Sequence, residues 1–353
     1  MTSRHFLAVV AIAQGALLVA LIILIILNRW FRLRRRARLH PRVLRLNAAM
    51  QKWAFGSTDL GSVLVNLARL PIPLAVDALV SWSARVPGDR WRQLAAALRG
   101  HWWARMVRSN ASSGRWWKRL EAARFFAVAA TTEDTSSVLK LLHDANPAVH
   151  IAAVATLERL ESPALTTAAL ERLPRLAPTV GAYYAGMLRR SRPVVVQLLL
   201  KMLQRTDDPA LPRLTEFAAR LNEPALRESL TTLAGHANPE VRVQAARGLG
   251  AFPHPATIAA LTKLVRDEAW AVRAQVVRSL GMITDRATLP LVRNALRDSE
   301  WWVRIRAGLA LTRFGSIGRD VLLQDEHGPD QGARDMARLV LGLSAQALAE
   351  YAT

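Results

Sequence analysis

Hydrophobic and polar positions follow two different patterns along this chain. From Phe6 to Leu27 no residue is charged, and only Gln14 is strongly polar. From about residue 114 onward, apolar residues instead return at i, i+4 and i+8, the spacing of one face of an α-helix. The clearest triplets are Val241, Ala245, Leu249; Val272, Val276, Leu280; and Val303, Ala307, Leu311, each 31 residues from the next. Backward from Val241 the column continues through Leu211, Val180, Val149 and Lys118 at intervals of 30, 31, 31 and 31. Thr215, Tyr184, Ala153 and Ala122 hold the fourth positions of those units, and Ala219, Leu188, Leu157 and Phe126 the eighth.

A second column occupies the other half of each unit. Leu139, Leu170, Leu200, Leu230, Leu261 and Val292 recur at 30 or 31 residues. Three residues later come Leu142, Leu173, Leu203, Leu233, Leu264 and Ala295. Every unit therefore predicts two amphipathic helices. Prolines punctuate them at 147, 163, 178, 193, 209, 224, 239 and 255, half a repeat apart each time. Proline suits the first helical turn, where its missing N–H would have no intrahelical partner. Units of this length bury their apolar faces by stacking on their neighbours, so the pattern predicts an all-α solenoid.

Three segments carry a family resemblance: NPEVRVQAARGLG (238–250), EAWAVRAQVVRSLG (268–281) and SEWWVRIRAGLALTRFG (299–315). They resemble HEAT repeats, in particular the short HEAT-like type named after phycobilisome lyases, in which Asp precedes V-R-x-x-A-x-x-x-L-G. Asp267 with Val272-Arg273 and Leu280-Gly281 fits, as does Asp298 with Val303-Arg304 and Leu311. Val241-Arg242 with Leu249-Gly250 has His236 at the acid position, and Asp144 with Val149-His150 lacks the Arg. Gly181 and Pro212 occupy the Arg column in the intervening units. The resemblance implies a right-handed α-solenoid of about six to seven helix pairs over 114–320. It also implies a structural ladder between repeats, made here by Asp267, Arg273, Asp298, Arg304 and Arg242. A ligand-binding role for the same Arg column is the competing reading.

The uncharged run at 6–27 is long enough, at about 1.5 Å per residue, to span roughly 33 Å and cross a hydrocarbon core. A signal peptide would show a shorter apolar stretch and a small-residue cleavage site. Here eight arginines follow within 17 residues, Arg29 to Arg45. The expected reading is an uncleaved single-pass anchor (1–28) followed by a basic juxtamembrane segment (29–46). Positive charge stays on the cytoplasmic side, which places the amino terminus outside and the array inside a cytoplasmic membrane. Arg29, Trp30, Phe31, Arg32, Arg34, Arg35, Arg36 and Arg38 would meet the interface and its anionic headgroups.

Residues 47–113 read as three helices, near 60–67, 75–86 and 91–107, rich in Trp and Arg. They rest on anionic lipid, cap the first repeat with their tryptophans in its core, or do both. Residues 321–353 are expected to close the far end with one helix from Gly332 to Ala349.

Composition sharpens this picture. Lys and Arg total 48 against 27 Asp and Glu, a net charge of +21, which by itself suggests nucleic acid. Residues 1–120 hold 20 basic and 3 acidic residues (+17), leaving 28 and 24 (+4) for the rest. The excess thus sits beside the apolar run, and the nearly neutral array argues against a nucleic-acid surface. With no cysteine, thiolate metal sites and cysteine nucleophiles are excluded. No phosphate-binding glycine loop or H-E-x-x-H is present, and the histidines are scattered, His236 and His254 near expected helix ends. No catalytic residue, cofactor or metal is expected. Trp270, Trp301 and Trp302 fall at equivalent helix starts, either packed between repeats or exposed as partner-binding anchors. The reading is a non-enzymatic membrane-anchored scaffold for a protein partner, with a membrane enzyme such as an envelope-glycan synthase as a fitting client. A bilin-lyase-like enzyme and a nucleic-acid-binding HEAT protein are the alternatives.

Overall fold

Proline placement accounts for many of the helix starts. Pro147, Pro163, Pro178, Pro239 and Pro255 are each the first residue of a helix, and Pro193 is the second of another. Asn146, Asn238 and His254 precede three of these, and their side chains accept the N–H two residues on, at 3.0, 2.9 and 3.2 Å. Pro209 departs from the pattern, because its helix begins only at Leu211, with Pro212 in the first turn.

The computed structural model describes the backbone of residues 2–86 and 88–352. In the first helix, the side chains described before Leu39 are Gln14, Leu17, Leu18, Val19, Leu21, Ile22, Ile23, Leu24, Ile26, Leu27, Arg29 and Trp30. The side chains of Ala345, Ala349 and Ala352 also lie outside the description. Among the described residues there is no strand, and two units are distinguished, Met1–Ser162 and Pro163–Thr353.

The first unit opens with α1 (Thr2–Ala54), which runs unbroken through the expected boundaries at 28 and 46. Among the described residues, no helix is long and apolar enough to cross a membrane. The span expected at 6–27 falls largely on side chains outside the description, as do Phe31, Arg32, Arg34, Arg35, Arg36 and Arg38 of the expected interface. Next come α2 (Leu60–Ala68), α3 (Ile72–Ser83), α4 (Gly88–Gly100) and α5 (Trp102–Ser109). The expected single helix over 91–107 is two, because the His101 imidazole accepts the Trp103 N–H and starts a new helix. Then α6 (Trp116–Ala129), α7 (Thr135–Leu142) and α8 (Pro147–Val154) complete the unit.

α3, α4 and α5 pack on α6, with Trp53, Trp91 and Trp103 buried alongside Phe125 and Phe126. Several arginines in and beside this segment bind protein groups. Arg90 donates to the Trp53 and Ala54 carbonyls that end α1. Arg124 pairs with Asp77, Arg108 with Asp134, and Arg85 lies over Trp82. Residues 47–113 thus cover the start of the repeats, and Trp102 stays exposed.

The second unit contains α9 (Pro163–Arg172), α10 (Pro178–Leu188), α11 (Arg192–Met202), α12 (Leu211–Leu221), α13 (Arg227–Leu233) and α14 (Pro239–Leu249). It continues with α15 (Pro255–Leu264), α16 (Trp270–Ile283), α17 (Leu289–Asn294) and α18 (Trp301–Thr312). Last are α19 (Ser316–Asp325), α20 (Gln331–Leu341) and α21 (Ala345–Ala352). The expected closing helix from 332 to 349 is interrupted at Gly342-Leu343-Ser344, where the Ser344 hydroxyl accepts the Ala347 N–H. α19 and α20 pack as one more helix pair, so a boundary at 320 would cut through α19.

α12, α14, α16, α18 and α20 pack side by side as one layer. The i, i+4, i+8 residues form its core: Val241, Ala245, Leu249, Val272, Val276, Leu280, Ala307 and Leu311 are fully buried. Glycine lets these helices approach. A Cβ at Gly281 would fall 2.5 Å from the Ala310 Cβ and 2.9 Å from its Cα, and one at Gly308 2.7 Å from Val340.

Substituting Gly281→Ala should therefore destabilise the chain by about 1–3 kcal/mol through overpacking. Gly186→Ala, on exposed α10 with open space around the new methyl, should stabilise it by about 0.5–1 kcal/mol. Urea unfolding of the two variants beside the parent checks both signs.

Candidate functional site: arginine rungs and the faces they leave free

In the second unit, Arg242 and Arg273 each tie one repeat to the next. Arg242 Nε and Nη2 donate to the Asp267 carboxylate at 2.8 Å each, and Arg273 makes the same two bonds to Asp298. The third nitrogen turns back. Arg242 Nη1 donates to the His236 and Ala237 carbonyls at 2.9 and 2.8 Å, and Arg273 Nη1 to those of Asp267 and Glu268 at 2.8 and 3.2 Å. The carboxylates have a second task. Asp267 and Asp298 each accept a backbone N–H two residues on, from Ala269 and Glu300 at 2.9 Å. Each rung therefore joins one interhelix loop to the next through a planar, bidentate pair.

The first unit holds a rung of the same design. Arg119 Nε and Nη2 donate to Asp144 at 2.5 and 3.1 Å, and Nη1 to the Ser113 and Gly114 carbonyls at 2.9 and 3.2 Å. The sequence separation is 25 in all three pairs. Arg304 keeps the carbonyl bonds, to Asp298 and Ser299 at 2.8 Å each, but Pro329 stands 25 residues on and supplies no acid. Arg334 repeats the carbonyl bonds on Gly328 and Pro329. This Arg lies in the same column, 30 residues after Arg304, under an Ala-for-Val change that hides the repeat.

Histidines fill gaps in the scheme. His236 stands at an acid position and accepts the Asn238 N–H on Nδ1 at 3.0 Å, leaving Nε2–H to reach the Thr206 carbonyl. His254, which the sequence places near a helix end, caps the start of α15 with its side chain accepting the Ala256 N–H. α12, with Pro212 in the Arg column, packs closely on α14, whereas where Gly181 replaces the Arg, α10 and α12 make few mutual contacts. A hollow of about 90 Å³ opens there, lined by Leu173, Leu176, Pro178, Ala182, Ala185 and Phe217, among others.

Charge is tuned along the rungs. Hydrogen bonds from Arg119 hold the Asp144 carboxyl below the usual carboxylate range, despite partial burial. At Asp298 burial pushes upward, but the Arg273 and Glu300 hydrogen bonds together overcome it and the carboxyl also lies low. The hydrogen bonds from Asp267 and Asp298 raise Arg242 and Arg273 respectively.

The tryptophans of interest stand at helix starts. Trp270 is 45% exposed, Trp301 45% and Trp302 55%, and the last two meet edge-to-face with centroids 4.8 Å apart. They do not pack between repeats. Trp116 and Trp117 occupy the same columns in the first unit, equally exposed and edge-to-face, with Arg115 over Trp117. Their shared register with Trp301 and Trp302, six repeats apart, is visible in the sequence once the columns are extended to residue 116. Among the described residues no group of three or more His, Asp or Glu could hold a metal ion.

A family model of HEAT repeats matches residues 226–312 and 263–342. No curated protein matches the sequence. Solved structures similar to this chain include an engineered protein, 17% identical, with 80% of this chain covering 88% of that one at a TM-score of 0.36. Kap121p is 12% identical over 87% of this chain and 46% of its own, at 0.37. Pds5 in its complex with Scc1 is 11% identical over 87% and 56%, also at 0.37. This chain spans about half the length of the Kap121p and Pds5 chains.

The depressed Asp298 carboxyl gives a pH-dependent prediction. Its contribution is complete above the unfolded value, near 4, and is lost as pH falls through the lower folded value. Asp298→Asn should therefore cost about 1–3 kcal/mol at pH 7 and much less at pH 3. Urea unfolding at the two pH values decides; an equal deficit at both would contradict the reading.

Proposed function

We propose that the chain is a membrane-tethered HEAT-repeat scaffold whose array binds a protein partner at the cytoplasmic face. The observation that carries the tether lies in α1. Leu17, Leu18, Val19, Leu21, Ile22, Ile23, Leu24, Ile26 and Leu27 are between 46% and 67% exposed. At 100° per residue these nine point to every side of the helix. A helix whose described apolar side chains are exposed on all sides is matched to lipid. The arginines from Arg29 to Arg45 then supply the cytoplasmic charge, with Trp30, itself exposed, at interface depth.

The binding role rests on the free tryptophans. Half-exposed Trp side chains at the corners of adjacent repeats offer a large contact area at little conformational cost. Their indoles take part in no rung, and about half of each remains open to a partner. Tethering raises the local concentration of the array at the bilayer, and a modest interface then suffices.

In fractionated cells the tagged full chain should stay with membranes through a high-salt wash, and a chain lacking residues 1–28 should be released. After gentle solubilisation a partner should co-purify. Trp301→Ala/Trp302→Ala should reduce the recovered partner by about tenfold while unfolding within a degree or two of the parent, as substitutions at exposed positions do. Release of the full chain by salt, or its repeated recovery alone after crosslinking, would overturn the proposal.

A further inference from the structure

Arg304 makes half of a rung. Its Nη1 donates to the Asp298 and Ser299 carbonyls, six and five residues back, as the same nitrogen does in Arg119, Arg242 and Arg273. In those three, Nε and Nη2 then close on an Asp carboxylate 25 residues ahead. At Arg304 that position is Pro329. Nε and Nη2 of Arg304 have no hydrogen-bond partner among the described residues.

The guanidinium is nonetheless aimed as in a complete rung. Two carbonyl bonds of 2.8 Å fix its inner edge. Its stem lies over Gly332 in the first turn of α20, where a Cβ would fall 3.2 Å from Arg304 Cδ and 3.3 Å from Nε. The flanking acids are Glu300, one turn back, and Asp330, which matches Glu268 in the repeat. Neither pairs with Arg304 among the described residues, and Asp330 accepts the Ala333 N–H that begins α20. A second acid beside the fork is no obstacle to the first, since Arg242 holds Asp267 with Glu268 at 3.4 Å.

We infer that this open fork is the docking point for an acidic side chain of a protein partner, an Asp or Glu with an apolar residue beside it. The three complete rungs show which ligand the fork is built for: a planar carboxylate taken by two parallel N–H bonds. Trp301 stands three residues before Arg304 and is therefore its neighbour on the helix surface. It is 45% exposed and offers the apolar contact. Arg334 grips the Gly328 and Pro329 carbonyls in the same way and adds a second positive charge at the start of α20. A long polyanion is a poorer match, because exposed Glu300 and Asp335 would repel a chain continuing past the fork. The inference rests on the scaffold reading for the existence of a protein partner, and on nothing in α1.

The test is fluorescence anisotropy with the full chain in micelles of an uncharged detergent. The probe is a labelled heptapeptide copying residues 296–302, Leu-Arg-Asp-Ser-Glu-Trp-Trp, whose Asp is the carboxylate that Arg273 holds within the array. The same peptide with Asn for that Asp and a six-nucleotide single strand of DNA are the comparisons. The Asp peptide should bind saturably, and the Asn peptide about tenfold more weakly. Arg304→Lys retains the charge but not the fork and should weaken the Asp peptide about tenfold. Pro329→Asp supplies the missing carboxylate from within the chain, so it should raise the urea midpoint and weaken the peptide by about the same factor. Arg266→Gln, an exposed charge outside the rungs, should leave the affinity unchanged. Equal binding of the Asn peptide, unchanged affinity in either fork variant, an equal loss in Arg266→Gln, or DNA binding as tight as the Asp peptide would each overturn the site. If Pro329→Asp still recovers the parent's partner from solubilised membranes, this site fails and the scaffold stands. If the parent recovers none while the Asp peptide binds as described, the scaffold fails and the open fork stands.

Discussion

The array depends on the arginine rung. A guanidinium presents N–H groups in a rigid planar fork, and the rung uses both sides of it. One side grips a carboxylate 25 residues ahead, in the next interhelix loop; the other grips two carbonyls five and six residues behind, in its own. The carboxylate in turn fixes the backbone of the loop that holds it. A lysine could satisfy one of these demands but lacks the fork for all three. With side chains only 9% and 6% exposed, Arg242 and Asp267 form a pair that water screens little.

Stacking follows the rungs in part and the small-residue core for the rest. Through α14, α16 and α18, where they are complete, glycines bring the helices to near contact. At Gly181 the rung is missing and the stack opens into a hollow beside Phe217, whereas at Pro212 it is missing too and α12 still packs closely on α14. Arg304 marks an intermediate state, with its carbonyl bonds kept and its acid replaced by Pro329. Because the rungs and the i, i+4, i+8 core already account for stacking, the residues left on the outward face are released from structural duty. Trp302 is such a residue, and a surface free of structural duty can be devoted to recognition.

Much of this was legible in the sequence. The 31-residue columns located most of the buried residues from Ala122 to Leu311, and the family resemblance implied an Asp/Arg ladder between repeats without giving its pairs or the missing acid at Arg304. The Arg119–Asp144 rung escaped notice because Lys118 replaces valine beside it, so the V-R signature is broken while the guanidinium geometry survives. The α19–α20 pair was read as a cap for a similar reason: Ala333 and Ala337 fill the core positions with small side chains that carry little periodic signal. The breaks at His101 and Ser344 depend on single side-chain caps, which a hydrophobic pattern cannot register.

The claim that the rung, as a pair, locks adjacent repeats is open to a double-mutant cycle on Arg242→Ala and Asp267→Ala, read by urea unfolding at pH 7. Each single change leaves a charge buried beside a missing partner and should cost about 3–5 kcal/mol. The double change should cost less than the sum by about 1–3 kcal/mol, the coupling expected of groups in direct contact. Additive losses would mean that the two side chains act independently and that the register of the array is set by the apolar columns alone.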